Sequence, residues 1–140
     1  MHLLDANVLI ALGDPLHVHH HRAQTWFHQQ PARPWATCPL TENAFLRIVG
    51  QPAYPQSPGP PAVLRPLLQQ MCSMPGHQFW PDSVSLLDPA LPSALPMAKH
   101  LTDFYLLALA IERKGALATF DRRIDPTLIA GGPAAYFVIP

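Results

Sequence analysis

Charge is scarce in this 140-residue chain: only 13% of it is Asp, Glu, Lys or Arg, and nine basic residues cancel nine acidic ones. A net charge of zero removes the simplest electrostatic case for a polyanionic partner, while leaving room for a local basic patch. Lysine is reduced to Lys99 and Lys114. Cysteine is reduced to Cys38 and Cys72, which match no metal or redox spacing, and nothing points to an oxidising compartment. Two reduced thiols are therefore expected. No apolar run approaches the roughly 20 residues that a bilayer span needs. Met1 leads almost directly into Leu3, Leu4 and Asp5, without the pattern of a signal peptide. These absences together predict a cytoplasmic protein with no membrane association. Internal repeats are missing, and so is any Ser/His/Asp or Cys/His set for nucleophilic catalysis.

What the chain does have is apolar mass. At 49% hydrophobic it excludes disorder, and its length suits one domain spanning residues 1–140 with a real core. Proline is the outlier, with 18 residues against an average of about 5%. The prolines gather in 52–66 and 81–96, where interleaved apolar residues mark loops and helix starts.

Residues 2–4 read as a short buried strand ending on Asp5. Residues 6–12 are mostly apolar and close at Gly13, Asp14 and Pro15, a turn signal. A helix pattern follows over about 17–29, with Ala23, Trp26, Phe27 and Gln30 at the 3–4 spacing of an inward face. Residues 31–34 read as a loop and 35–37 as a second strand, stopped by Pro39. Thr41 can cap a helix that places Glu42 in its first turn and Phe45, Ile48 and Val49 on its apolar face. After a loop over 52–61, residues 63–74 form another helix pattern. The pairs Phe79–Trp80 and 84–86 are β-like. The strongest helix pattern is 102–114, capped by Thr102 and so apolar that it must be buried on more than one side. Strands at 116–120 and 136–139 complete the chain, the last after the turn at Gly131, Gly132 and Pro133. Alternating strands and helices argue for an α/β fold with a mainly parallel sheet and helices on both faces.

In such a sheet, strand carboxyl ends and helix amino ends share the edge where ligands bind. Asp5 and Asp121 each end a strand, and Glu42 and Asp103 each open a helix. Each placement alone has a structural explanation, since helix dipoles favour acids in the first turn and aspartate makes turns. Four carboxylates on one rim repel one another, and a hard cation such as Mg²⁺ or Mn²⁺ is the usual remedy.

LLDANVLI around Asp5, TENAFLRIV around Glu42, LTDFYLLALA around Asp103 and LATFDRRI around Asp121 resemble the four acidic motifs of PIN-domain nucleases. Within that superfamily the chain looks like a VapC-type toxin of a bacterial toxin–antitoxin pair. The motifs stand in the family's order and span nearly the whole chain. The resemblance implies a three-layer α/β/α sandwich and an Mg²⁺- or Mn²⁺-dependent endoribonuclease that leaves a 5′-phosphate. It also implies an RNA substrate, a cognate antitoxin that inserts into the active-site groove, and a homodimer. By position, Asp5, Glu42, Asp103 and Asp121 would be the catalytic and metal-binding acids. Asn7 would support the first motif and Thr119 would sit beside the fourth.

Arg47, Arg122 and Arg123 lie near these acids in sequence, where arginines can hold an RNA backbone or simply be solvated. His17 and His21, four apart, invite a metal reading that a solvated helix start explains equally well. His100 can approach the groove. Trp26 falls on a packed helix face rather than a base-stacking platform. Two other functions compete. One is a non-catalytic PIN-like module that only binds a protein partner. The other is a phosphotransferase of the haloacid-dehalogenase kind, which wants a second Asp where this chain has Asn7.

Overall fold

The computed structural model describes residues 1–29 and 33–140. The expected inward position of Gln30 and part of the 31–34 loop lie outside the described residues. Five strands, β1 (His2–Leu4), β2 (Trp35–Thr37), β3 (His77–Phe79), β4 (Ala116–Thr119) and β5 (Tyr136–Val138), form one sheet in the order β3-β2-β1-β4-β5. Every pairing is parallel, with Leu4 opposite Ala118 and Leu3 opposite Ala36. The order runs outward from β1 in one direction through β2 and β3, and in the other through β4 and β5. The junction of β1 and β4 is thus the point where the winding reverses.

Alternating side chains along these short strands supply two cores. Leu3, Ala36 and Leu117 face one core, while Leu4, Trp35 and Ala118 face the other. Helices α1 (Ala6–Gly13), α2 (His20–His28), α3 (Pro39–Val49) and α4 (Pro61–Cys72) contribute to the second core through Val8, Trp26, Phe45 and Leu64. Helices α5 (Leu101–Glu112) and α6 (Gly132–Ala135) close the first. This is the expected α/β/α sandwich, with a fully parallel sheet. Helix α5 is buried continuously from Phe104 to Ala110, which requires apolar residues on every side of that stretch. Trp26 lies in the core between His2 and Phe137.

Several local expectations change. Thr41 is not the cap of α3; Cys38 is, with Pro39 in the first turn, and Thr41 sits at the third helical position, where its hydroxyl accepts from the Cys38 amide at 3.0 Å. Proline is well suited to that first turn because its missing N–H would be unpaired there anyway. Thr102 is likewise inside α5, whose cap is His100, and no side chain caps that end. Residues 84–86 form no strand; Val84 and Leu86 instead pack against the first core. The edge strand β3 begins at His77, leaving Trp80 just beyond it, buried. The expected turn at Gly131, Gly132 and Pro133 opens the four-residue helix α6. Gly131 adopts a left-handed φ of 83°, and a Cβ on Gly132 would lie 1.9 Å from the Pro126 carbonyl oxygen, so both glycines are required. Cys38 and Cys72 are unbonded.

Candidate active site

Asp5 follows β1 and keeps the ladder going for one more bond, its amide donating to the Ala118 carbonyl at 3.0 Å. Its carboxylate is buried and points towards β4, where the fully buried Thr119 hydroxyl donates to Oδ2 at 2.6 Å. Asn7, in the first turn of α1, donates from Nδ2 to the same oxygen and to Thr119 Oγ1, both at 3.0 Å. Asn7 Oδ1 accepts the Phe120 amide, and Thr119 Oγ1 accepts the Asp121 amide. The threonine hydroxyl therefore donates once and accepts twice, its whole capacity. This network staples the ends of β1 and β4 together at the point where the winding reverses. In open parallel sheets that is where the ligand crevice forms.

Asp121 sits one residue beyond Phe120 on the loop leaving β4. Arg123 grips it in a fork, Nε to Oδ1 at 3.0 Å and Nη2 to Oδ2 at 2.8 Å, while the Arg123 amide donates to Oδ1. The Tyr136 hydroxyl donates to the Asp121 carbonyl. Asp103, in the first turn of α5, completes a group of three aspartates. Their proximity is visible in their proton affinities. Burial, and then the charges of Asp5 and Asp121, lift the Asp103 carboxyl to about 6. Burial raises Asp5 as well, against the opposing hydrogen bonds from Thr119 and Asn7. Asp121 is held below its ordinary value, chiefly by the Arg123 hydrogen bonds. Two of three neighbouring carboxylates thus resist ionisation, first because burial penalises their charged form and second because they lie near one another's charge. An all-oxygen set of this kind suits Mg²⁺ or Mn²⁺.

Glu42 is placed differently. It stands in the first turn of α3, just past the end of β2, but its Oε1 accepts from the buried Thr37 hydroxyl at 2.7 Å. The charges that act on Asp5 and Asp103 belong to the other aspartates and Arg123, whereas Glu42 acts on Cys72 and His77. The structure therefore brings Asp5, Asp103 and Asp121 together and sets Glu42 in a neighbouring group. Asn7 and Thr119 both hydrogen-bond Asp5 Oδ2. Arg47 and Arg122 are exposed and, among the described residues, form no hydrogen bond or ion pair. Arg123, one residue on, is the arginine that touches an acid.

His17 and His21 do not share a helix, because α2 begins only at His20 and His17 Nδ1 accepts the His19 amide in the preceding turn. His19 instead stacks on Phe120 at 4.7 Å, and the Arg22 guanidinium lies 5.1 Å from the same ring. His100 is close enough for its charge to lower the proton affinity of Asp121. Tyr136 in β5, and His19 and Arg22 at the start of α2, were not legible as neighbours of the site, since they are distant in sequence from the Phe120 and Asp121 that they touch.

The family model described as the PIN domain matches residues 2–127. Ribonuclease VapC44 of Mycobacterium tuberculosis is 44% identical over 131 residues, covering 92% of this chain and 92% of the relative. Ribonuclease VapC39 of the same organism is 43% identical over 131 residues, covering 92% and 94%. Ribonuclease VapC38 is 40% identical over 121 residues, covering 86% and 85%. The chain belongs to the PIN-domain family and is similar to its VapC ribonucleases.

Proposed function

We propose that this PIN-domain chain is an Mg²⁺- or Mn²⁺-dependent endoribonuclease, the toxin of a type II toxin–antitoxin pair. The observation that carries the reading is the group of three aspartates at the β1–β4 junction, in a chain similar over most of its length to proteins named as ribonucleases. Asp5, Asp103, Asp121 and Glu42 form the acidic set. A divalent cation held by these acids would supply positive charge to the reacting phosphodiester oxygens and would lower the pKa of a bound water, so that a nucleophilic hydroxide is available near neutral pH.

The remaining roles belong to the chain itself. Thr119 and Asn7 fix Oδ2 of Asp5, so the carboxylate meets its ligand already oriented and without an entropic cost of ordering. Asp103 carries a proton readily near pH 6, which lets the site relax when no cation is bound. Arg123 compensates Asp121 in the same state. Arg47 and Arg122, free at the surface, offer guanidinium groups to the RNA backbone, where forked contacts to phosphate are strong. No helix among the described residues is long and apolar enough to cross a membrane. A cytoplasmic location, a homodimer and a cognate antitoxin that blocks the groove complete the proposal.

Purified chain freed of any antitoxin is expected to cleave RNA with Mn²⁺ and to lose that activity with EDTA, in Asp5→Asn and in Asp103→Asn. A folded protein that neither binds Mn²⁺ nor cuts any RNA would instead be a PIN-like module that only binds its protein partner.

A further inference from the structure

Glu42 belongs to a second cluster with a different chemistry. Ligand atoms of Glu42, Cys72 and His77 all lie within 4.8 Å of one another, each residue half-buried. The three come from separate parts of the chain: the first turn of α3, the last residue of α4 and the first residue of the edge strand β3. The buried Thr37 hydroxyl donates to Glu42 Oε1 at 2.7 Å and lies 2.8 Å from His77 Nε2, tying two of the three together. The His77 ring is held edge-on against Trp35 with centroids 4.7 Å apart. An open groove of about 450 Å³ between α3 and α4, lined by Glu42 and Cys72, gives access from solvent.

We propose that Glu42, Cys72 and His77 form a site for a thiophilic divalent cation of the Zn²⁺ class, separate from the three aspartates. Thiolate and imidazole together favour Zn²⁺ over Mg²⁺ or Mn²⁺, which prefer oxygen. Zinc bonds of about 2.0–2.3 Å place tetrahedral ligands roughly 3.3–3.8 Å apart, so the side chains close in by about 1 Å to bind. Three protein ligands leave the fourth position to water from the groove. In the metal-free protein Thr37 holds Glu42 and His77 side by side. It remains an outer partner only where the ion takes the other carboxylate oxygen and the other ring nitrogen, and is displaced where the ion takes the atoms it now bonds. Binding forms a metal–sulfur bond at Cys72 and releases the thiol proton to solvent, with no change of oxidation state. The sheet then carries two cation sites of opposite hardness, one at the end of β1 and β4 and one beside β2 and β3.

The test uses the full chain, stripped with a chelator and kept reduced, titrated with Co²⁺ alone as an optical stand-in for Zn²⁺. The expected result is a thiolate-to-cobalt absorption band that saturates at one equivalent and is bleached by Zn²⁺. The band is expected to vanish in Cys72→Ser, to weaken in His77→Ala, and to persist in Cys38→Ser and in Asp103→Asn. Persistence in Asp103→Asn separates this site from the nuclease reading, since that variant loses RNA cleavage if the aspartates are catalytic. A folded wild type without the band, or a band surviving Cys72→Ser, would overturn the proposal. Should Cys72→Ser fail to fold, alkylation of the wild type decides: Zn²⁺ is expected to slow modification of Cys72 severalfold, and an unchanged rate refutes the site.

Discussion

Replacing Asp103 with asparagine should make the metal-free protein more stable. The carboxyl is half-buried beside two others and rises from its ordinary 3.8 to about 6, burial contributing most and Asp5 next. A folded state that holds this proton more tightly than the unfolded chain gains nothing from ionising it. The penalty is therefore absent below the unfolded value of 3.8, grows between 3.8 and about 6, and is complete above that. Stability falls as pH rises through this window. At about 1.36 kcal/mol per pH unit the full shift corresponds to about 3 kcal/mol, and partial exposure to solvent reduces it to about 1–2 kcal/mol. Asparagine keeps the shape and removes the charge, and Asp103 makes no hydrogen bond that asparagine would lose among the described residues. For a chain of this size the gain is a rise in Tm of roughly 3–8 °C. Thermal unfolding in EDTA at pH 7.5 measures it directly. Near pH 4 the two proteins should converge, and saturating Mn²⁺ should reverse their order by stabilising only the wild type. A variant no more stable than wild type at pH 7.5, or a gain unchanged at pH 4, would show that burial and the neighbouring aspartates do not penalise the ionised Asp103.

Thr119→Val removes the donor to Asp5 and the acceptor for Asn7 and the Asp121 amide while nearly preserving volume. Leaving these buried groups unpaired costs about 1–3 kcal/mol, readable by urea unfolding, and RNA cleavage should fall at least as far as stability allows; Thr119→Ser, which restores the hydroxyl, should recover most of both. Arg123→Ala frees both oxygens of Asp121 and removes the one positive charge that lowers Asp103. Calorimetric titration should then give severalfold tighter Mn²⁺ binding, because the cation no longer competes with a guanidinium; weaker binding would assign Arg123 a supporting role instead.

Sequence patterning was strongest where an apolar run is buried on more than one side and ends sharply on a polar residue. The strands before Asp5 and Asp121 and the helix after Asp103 are short apolar segments ended by polar residues, so their type and the direction of their ends follow from the pattern. Parallel pairing follows from the alternation of strands and helices, whereas the reversal at β1 and β4, which brings Asp5 and Asp121 together, is visible only in the strand order. Caps were harder to place. Both Thr41 and Thr102 have the right side chain, yet Pro39 moves the start of α3 upstream, and the turn at 98–100 runs straight into α5. The edge strand β3 has little signal because His77, Gln78 and Phe79 are not fully buried. Arg122 and Arg123 both follow Asp121 directly, and only the loop's turn after Asp121 decides that the Arg123 guanidinium folds back onto the carboxylate. Cys72 and His77 carried no motif because the sheet and α4 bring them to Glu42, and spacing in sequence does not encode that meeting.

The position of Glu42 bears on both proposals. Its tie to Thr37 is a hydrogen bond to a charged acceptor, worth about 1.5–3 kcal/mol. That is enough to park the side chain beside Cys72 and His77 when the aspartates hold no cation, since moving it towards three carboxylates would add repulsion. It is small beside the attraction of a divalent ion at the aspartates, which inverts the sign of the local field. If Glu42 joins the proposed aspartate site when that ion is bound, it serves the thiol–imidazole site only when the ion is absent. Thr37 makes this exchange inexpensive, because its hydroxyl keeps the His77 contact after Glu42 departs. On this reasoning the two cations compete for one side chain. Saturating Mn²⁺ should weaken Co²⁺ binding at Cys72 in the wild type, and should leave it unaffected in Glu42→Gln.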